Sequence, residues 1–410
     1  MTRSTNNPLF FGWVVVAAAF TVTLVGFGSA YSFAAFIDSM QREFQASRGS
    51  VALVFSLAGF LYFSLGVITG PMADRWGSKP LAIAGMVLAS AGLILAGMAN
   101  SLSQIYLAYG LGIGLGIGCA YVPAVAAVQR WFLKRRGFAS GLAVSGIGIG
   151  TLVIPLLATL IIETIGWRQA YFVLGAMTAT LGLGMAFLLE NDPARRGLGP
   201  DGVKAQPGPN GSAPSGIPLG EAVRSRPFIA LYLAGLVASF GVFVPFVHLV
   251  PFALDRGFSP TEGAFLLGMI GLGSTVGRFF LGSLADRIGR HIAIIGVYLG
   301  MALTLVIWLV SESLWALTVF TLTFGTFYGG FVAVIPALVM DYFGGRHVSS
   351  IIGMLYTCVA LGTLIGPTAA GYLYDLTRDY QLAIIVSILC SLLAAAIVGF
   401  GSRKPEQLMT

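Results

Sequence analysis

Stretches of about 20 or more apolar residues recur along this chain, separated by short segments that hold nearly all of its charge. A helix rises about 1.5 Å per residue, so about 20 such residues cross a hydrocarbon core about 30 Å thick. The pattern predicts twelve membrane-spanning helices, over roughly 11–37, 51–71, 80–99, 103–129, 138–162, 168–190, 227–254, 263–284, 291–311, 313–340, 349–374 and 380–401. The first stretch exceeds the apolar region of a cleaved signal peptide, about 7–15 residues, and is expected to remain as a span.

Between the sixth and seventh stretches the pattern lapses. The segment from Asn191 to about Pro227 is rich in Gly, Pro and Ser and has no apolar period, which predicts a flexible linker. The expected organisation is a six-helix bundle over 1–190, a cytoplasmic linker over 191–226 and a second six-helix bundle over 227–410. The flanks also repeat each other. Gly70-Pro71-Met72-Ala73-Asp74-Arg75-Trp76-Gly77 returns 212 residues later as Gly282-Ser283-Leu284-Ala285-Asp286-Arg287-Ile288-Gly289. The same shift takes Gly141 to Gly353, Gly150 to Gly362, Thr151 to Thr363 and Pro155 to Pro367. Matches at one offset over several spans predict a duplicated, all-α integral membrane protein with two pseudo-symmetric halves.

Composition agrees: 57% of residues are hydrophobic and 10% charged, against about 25% charged in soluble domains. The net charge of +7 does not point to nucleic acid, because its placement follows the spans. Arg75, Lys79, Arg130, Lys134, Arg135, Arg136, Arg224, Arg226, Arg287 and Arg290 follow even-numbered spans or lie in the linker. Arg42, Arg48, Arg168, Arg256 and Arg378 follow odd ones. That bias predicts a multi-pass protein of the inner (plasma) membrane with both termini cytoplasmic. Cys119, Cys358 and Cys390 fall inside spans and offer neither a disulfide framework nor a metal pair. No Walker sequence, zinc spacing or nucleophile elbow is present, so neither a cofactor nor enzymatic activity is expected. Gly110, Gly114 and Gly118 share one helix face inside the fourth span and predict close helix packing.

One charge breaks the pattern. Arg278 lies eight positions before Asp286, about 12 Å along the eighth span from its polar edge. Guanidinium does not deprotonate in proteins, and an unpaired arginine at a helix centre costs about 2.5–3.5 kcal/mol on insertion scales. Asp38, Glu163, Glu190, Asp255, Asp341 and Asp375 all sit at span ends. The expected counter-ion is therefore a substrate carboxylate held by the guanidinium fork, with backbone carbonyls or a lipid phosphate as the alternative.

His248 lies between Pro245 and Pro251 in the seventh span, and Asp255 follows seven residues later on the same helical side. The two form a candidate proton relay, since imidazole titrates near neutrality; His248 serves equally well as polar glue within the bundle. Tyr121 and Tyr328 offer hydroxyls to orient a bound anion, and Tyr31, Ser145, Tyr356 and Cys358 are further candidates for lining the site, packing being the alternative for each.

The repeated G-x-x-x-D-R-x-G loop resembles the signature of the major facilitator superfamily. The stretch Trp131 to Ala143, with Lys134, Arg135, Arg136, Ala139 and Gly141, is similar to a narrower signature of the monocarboxylate transporter family, as is Gly12-Trp13. The resemblance covers the whole chain and implies two rocking six-helix bundles, alternating access, and an eighth-span arginine that binds the carboxylate. It also implies that Asp74, Arg75, Asp286 and Arg287 form a cytoplasmic gate, each aspartate meeting a helix N-terminus of the other half when that side is shut. A dicarboxylate carrier such as the related oxalate:formate antiporter is expected to add a cation in the eleventh span, and 349–374 has none. Lactate or pyruvate is the family's usual cargo. Two positions depart from the family: Asn7 to Phe11 replace the usual acidic start of its first signature, and Ser274 stands where well-known proton-coupled members carry aspartate. Proton symport and anion exchange both remain open, with a non-transporting carboxylate receptor as a third possibility. The expected partners are a small monocarboxylate, a proton and the lipid bilayer, with no nucleic acid and no obligate protein partner.

Overall fold

The structure is a computed structural model of the 410-residue chain and describes residues 10–132, 136–191, 193–202, 216–344 and 347–401. Among these, twelve helices are long and apolar enough to cross a membrane: Phe11–Phe44, Arg48–Ala73, Ser78–Gly97, Leu102–Trp131, Phe138–Ile165, Trp167–Ala186, Arg226–Asp255, Pro260–Ile288, Arg290–Val310, Leu314–Phe343, Ser350–Thr377 and Gln381–Gly401. They are numbered here as the first to twelfth spans. The first runs seven residues past its expected end, because Asp38 to Phe44 continue the helix with a polar face that carries the Asp38–Arg42 pair, 3.0 Å apart. Large apolar side chains remain exposed on the outer surface, Leu299, Leu303 and Val310 among them, as lipid-facing helices require.

Three spans break near mid-depth, the second at Leu65 and the first and seventh at positions that matter for the site. The first divides at Ser32 and the seventh at Phe243, two residues before Pro245, which has no N–H to continue the ladder. These breaks fall next to Tyr31 and at its mate under the 212-residue shift, Phe243. The repeated loops share their turn too: Gly77 and Gly289 have φ of 88° and 92°, a region open to glycine.

In the first half the first span packs on the fifth, and the third on the fourth and sixth; in the second half the eighth packs on the tenth, the seventh on the twelfth, and the ninth on the tenth and twelfth. The fourth-span glycines pack on two faces. Gly110, Gly114 and Gly118 meet Leu57, Leu61 and Leu65 of the second span, whereas Gly112 and Gly116 meet Gly92 and Ala89 of the third.

The halves meet along the fifth and eighth spans and along the second and eleventh. At the end opposite the start of the first span and the close of the twelfth, here the distal end, the first and seventh spans also pack together. At the other, terminal end the halves part. Along the tenth span Phe320 and Phe324 are fully buried on the distal side of Tyr328, whereas Val332, Pro336 and Ala337 on the terminal side are partly exposed and Met340 is open. The linker is more structured than expected: Leu219–Arg224 is helical with Ala222 fully buried, and Gly216 bridges to Gly344. Residues 203–215 lie outside the described residues.

Candidate functional site

An open-sided cavity lies between the halves where the first and seventh spans break. Arg278 enters its wall from the eighth span and is 9% exposed. Its Nη1 donates to the Val144 carbonyl of the fifth span at 2.5 Å, while its Nε has no partner. Among the described residues no carboxylate pairs with it. A backbone carbonyl thus satisfies one corner of the guanidinium, and its Nε is buried without an acceptor.

Tyr31, Tyr121, Tyr328 and Tyr356 also line the cavity, so the structure gathers four of the candidate side chains around Arg278. The Tyr31 and Tyr328 hydroxyls lie 3.4 Å apart and join the two halves on the distal side. Tyr31 stacks on Phe246 with ring centroids 4.7 Å apart. The Tyr121 and Tyr356 hydroxyls make no hydrogen bond among the described residues.

The remaining lining is apolar: Phe27, Phe63, Phe243 and Phe331, then Ile147, Val332 and Val359. Nothing in the composition of a span separates a cavity phenylalanine from a lipid-facing one, and the sequence pattern singled out none of these. The repeat did hold a signal. Its shift pairs Tyr31 with Phe243 and Ile147 with Val359, so two of the lining pairs are related by the pseudo-symmetry.

Ser145 and Cys358, expected to line the site, are not among its lining residues. Ser145 is 3% exposed and its Oγ donates back to the Leu142 carbonyl at 2.7 Å. Cys358 is 1% exposed and packs where Gly235 leaves room; its neighbour Val359 faces the cavity instead.

His248 lies on the distal side, fully buried, with Nδ1 3.0 Å from the Tyr380 hydroxyl and Nε2 2.8 Å from the Pro367 carbonyl. His248 is linked to Asp255 through Tyr380 and, in the first half, Arg48. Arg48 forks onto Asp255 at 2.6 and 3.2 Å, and its Nη1 also donates to the Tyr380 hydroxyl at 2.9 Å. Asp375 completes the cluster by accepting from the backbone N–H groups of Arg48 and Gly49, each at 2.9 Å. Sequence reasoning placed Arg48, Asp255 and Asp375 at span ends and did not join them, since they come from three different spans.

At the terminal end Asp286 accepts from Arg290 at 3.0 Å, and Arg290 donates to Asp341 at 2.6 Å, all within the second half. Arg75 and Arg287 are exposed, and the side chain of Asp74 lies outside the described residues. Among the described residues, no hydrogen bond or ion pair joins the Arg75, Asp286 and Arg287 side chains to the opposite half.

A family profile described as Major Facilitator Superfamily matches residues 18–311 and 231–408. Human monocarboxylate transporter 11 is 30% identical over 393 residues, covering 92% of this chain and 80% of that protein. Monocarboxylate transporter 12 of Xenopus laevis is 30% identical over 425 residues, covering 96% and 91%, and monocarboxylate transporter 3 of Rattus norvegicus is 30% identical over 376 residues, covering 90% and 76%. Among solved structures, a bacterial homologue of the human lysosomal transporter Spinster, described as inward-facing and unoccupied, superposes with a TM-score of 0.75 over 97% of this chain and 98% of that one, at 15% identity. At that identity the likeness extends to the fold.

Proposed function

This chain belongs to the major facilitator superfamily and, within it, to the monocarboxylate transporter family, and from that premise we propose that it carries small organic monocarboxylates across the membrane by proton symport. The observation that carries the proposal is Arg278: a permanent cation on a mid-membrane cavity between two rocking halves, with no carboxylate of its own. A substrate carboxylate at the guanidinium supplies the missing charge. Lactate and pyruvate are the three-carbon cargo that the family resemblance implies.

With the terminal end in the cytoplasm, as the placement of arginine and lysine favours, the conformation is inward-open. The cavity would face the cytoplasm, and the Arg48–Asp255–Asp375 cluster would seal the outer end. His248 and Asp255 then serve proton movement from outside through Tyr380, and entry of one proton with each carboxylate leaves no net charge to move. Asp74, Arg75, Asp286 and Arg287 act as the inner gate when the halves close on that side.

Exchange of one carboxylate for another is the second reading, favoured by the bare guanidinium. An empty carrier must return with Arg278 neutralised by no side chain, and Ser274, one turn earlier, is buried with an unpartnered hydroxyl where a carboxylate would have helped. Uptake of labelled pyruvate into proteoliposomes, with and without an imposed pH gradient, tests the choice. Symport predicts accumulation driven by an inward proton gradient. Indifference to that gradient, together with strong stimulation by internal carboxylate, would sink symport in favour of exchange.

A further inference from the structure

We infer that the preferred cargo is not a three-carbon acid but a monocarboxylate with a flat apolar body, an aryl 2-oxo or 2-hydroxy acid; the inference rests on the proposal that the site binds monocarboxylates at all. Apart from Arg278 and the tyrosine hydroxyls, the cavity walls are apolar. Pyruvate would set a single methyl group against those walls. Those walls are rings: Phe27, Phe63, Phe243 and Phe331 face the cavity together with the four tyrosines. Several meet edge to face, as Phe27 and Tyr121 do at 5.1 Å and Phe243 and Tyr328 at 6.2 Å, the geometry in which aromatic rings attract one another.

Polar groups in the lining are few, and each has a place in such a ligand. Arg278 takes the carboxylate. Tyr31 and Tyr328 are engaged with each other, so Tyr121 and Tyr356 remain to donate to a 2-oxo or 2-hydroxy oxygen. No carboxylate lines the cavity among the described residues, so an ammonium at the 2-position would be buried without a counter-charge. The corresponding amino acid is therefore disfavoured, although its ring is the same.

The test is uptake by purified wild-type protein in proteoliposomes, with labelled phenylpyruvate, pyruvate and phenylalanine as probes. Expected is half-saturation by phenylpyruvate at a concentration at least about tenfold below that for pyruvate, a fraction of what full burial of a ring yields, with phenylalanine the poorest substrate. Equal or tighter half-saturation by pyruvate overturns the inference while leaving the monocarboxylate proposal standing. Uptake of none of the carboxylates overturns both. In a second measurement, Phe27→Leu and Phe331→Leu are expected to lower the preference for phenylpyruvate over pyruvate severalfold, and an unchanged ratio in both variants counts against the aromatic walls as its source.

Discussion

Replacing Asp255 by Asn is expected to open the distal end of the molecule. The Arg48 side chain is 11% exposed and that of Asp255 32%, and the pair is bidentate across the halves at 2.6 and 3.2 Å. Arg48 is also held by its stacking on Tyr374, 3.9 Å from the ring centroid, and by Gln41 at 3.2 Å. Exposed ion pairs contribute about 0–1 kcal/mol, whereas hydrogen bonds to charged groups contribute about 1.5–3 kcal/mol. A half-buried fork falls near 2 kcal/mol, or about thirtyfold in population. The Asn variant keeps the shape and removes the charge. It leaves Arg48 enclosed without that partner only while the distal end is shut, so the loss falls on the closed state.

Double electron–electron resonance would measure the shift, with nitroxides on Q45C and T377C in a background lacking Cys119, Cys358 and Cys390. The longer-distance population should rise in Asp255→Asn, and rise further with Asp375→Asn, which weakens the cap on the second span's N-terminus. Glu43→Gln is the control. Glu43 is the mate of Asp255 under the repeat, but it pairs with Arg168 at 2.8 Å inside its own half, so its loss should leave the distribution unchanged. Identical distributions for Asp255→Asn and its parent would refute the assignment of this cluster as a latch between states.

Three further outcomes follow from the same geometry. Arg278→Lys should reduce transport at least about tenfold at normal membrane abundance, because an ammonium has no planar fork for the carboxylate; full uptake in that variant would remove Arg278 from the site. His248→Gln should abolish the response of uptake to a pH gradient while counterflow of one carboxylate against another persists, and a retained gradient response would exclude His248 from the proton path. Gly371→Val should favour the distal-open state in the same resonance experiment, since a Cβ there would stand 2.6 Å from the Gly49 Cα; an unchanged distribution would mean that the second and eleventh spans do not close on this contact.

The fold was legible in the sequence because the bilayer imposes one length and one polarity on every span, and because the repeat survives in glycines and prolines that govern backbone geometry. Gly77 and Gly289 keep the same positive φ, and the fourth-span glycines pack as their spacing implies. Arg278 was legible for the opposite reason: a charge among apolar residues is costly, so its presence in a span calls for a partner. The aromatic walls were not, since Phe63 and Phe331 have the same hydropathy whether they face cargo or lipid. Ser145 and Cys358 misled because polarity at mid-span says nothing of direction. One turns its hydroxyl back to its own helix, and the other fills a glycine gap.

Carboxylates at the distal end mark where symmetry stops informing function. Under the 212-residue shift Glu43 corresponds to Asp255 and Glu163 to Asp375, so the duplication placed one acidic group at each of four span ends. Their partners differ between halves. Glu43 is satisfied within the first half by Arg168 and the Trp167 indole, whereas Asp255 reaches across to Arg48. Asp375 caps the second span at Arg48 and Gly49, whereas Glu163 receives, among the described residues, the Thr261 hydroxyl at 3.2 Å, because Ser259 and Glu262 already form a capping box at the eighth span's N-terminus. The side of the molecule formed by the second and eleventh spans therefore holds the ion pair that joins the halves among the described residues, and the side formed by the fifth and eighth holds close-packed backbone, as at Gly148 and Gly271. Contacts of the first kind break with a definite loss and suit a latch. Those of the second kind slide without stranding a charge and suit a pivot, which places the opening motion on the side of Arg48 and leaves Arg278 and Val144 together on the axis.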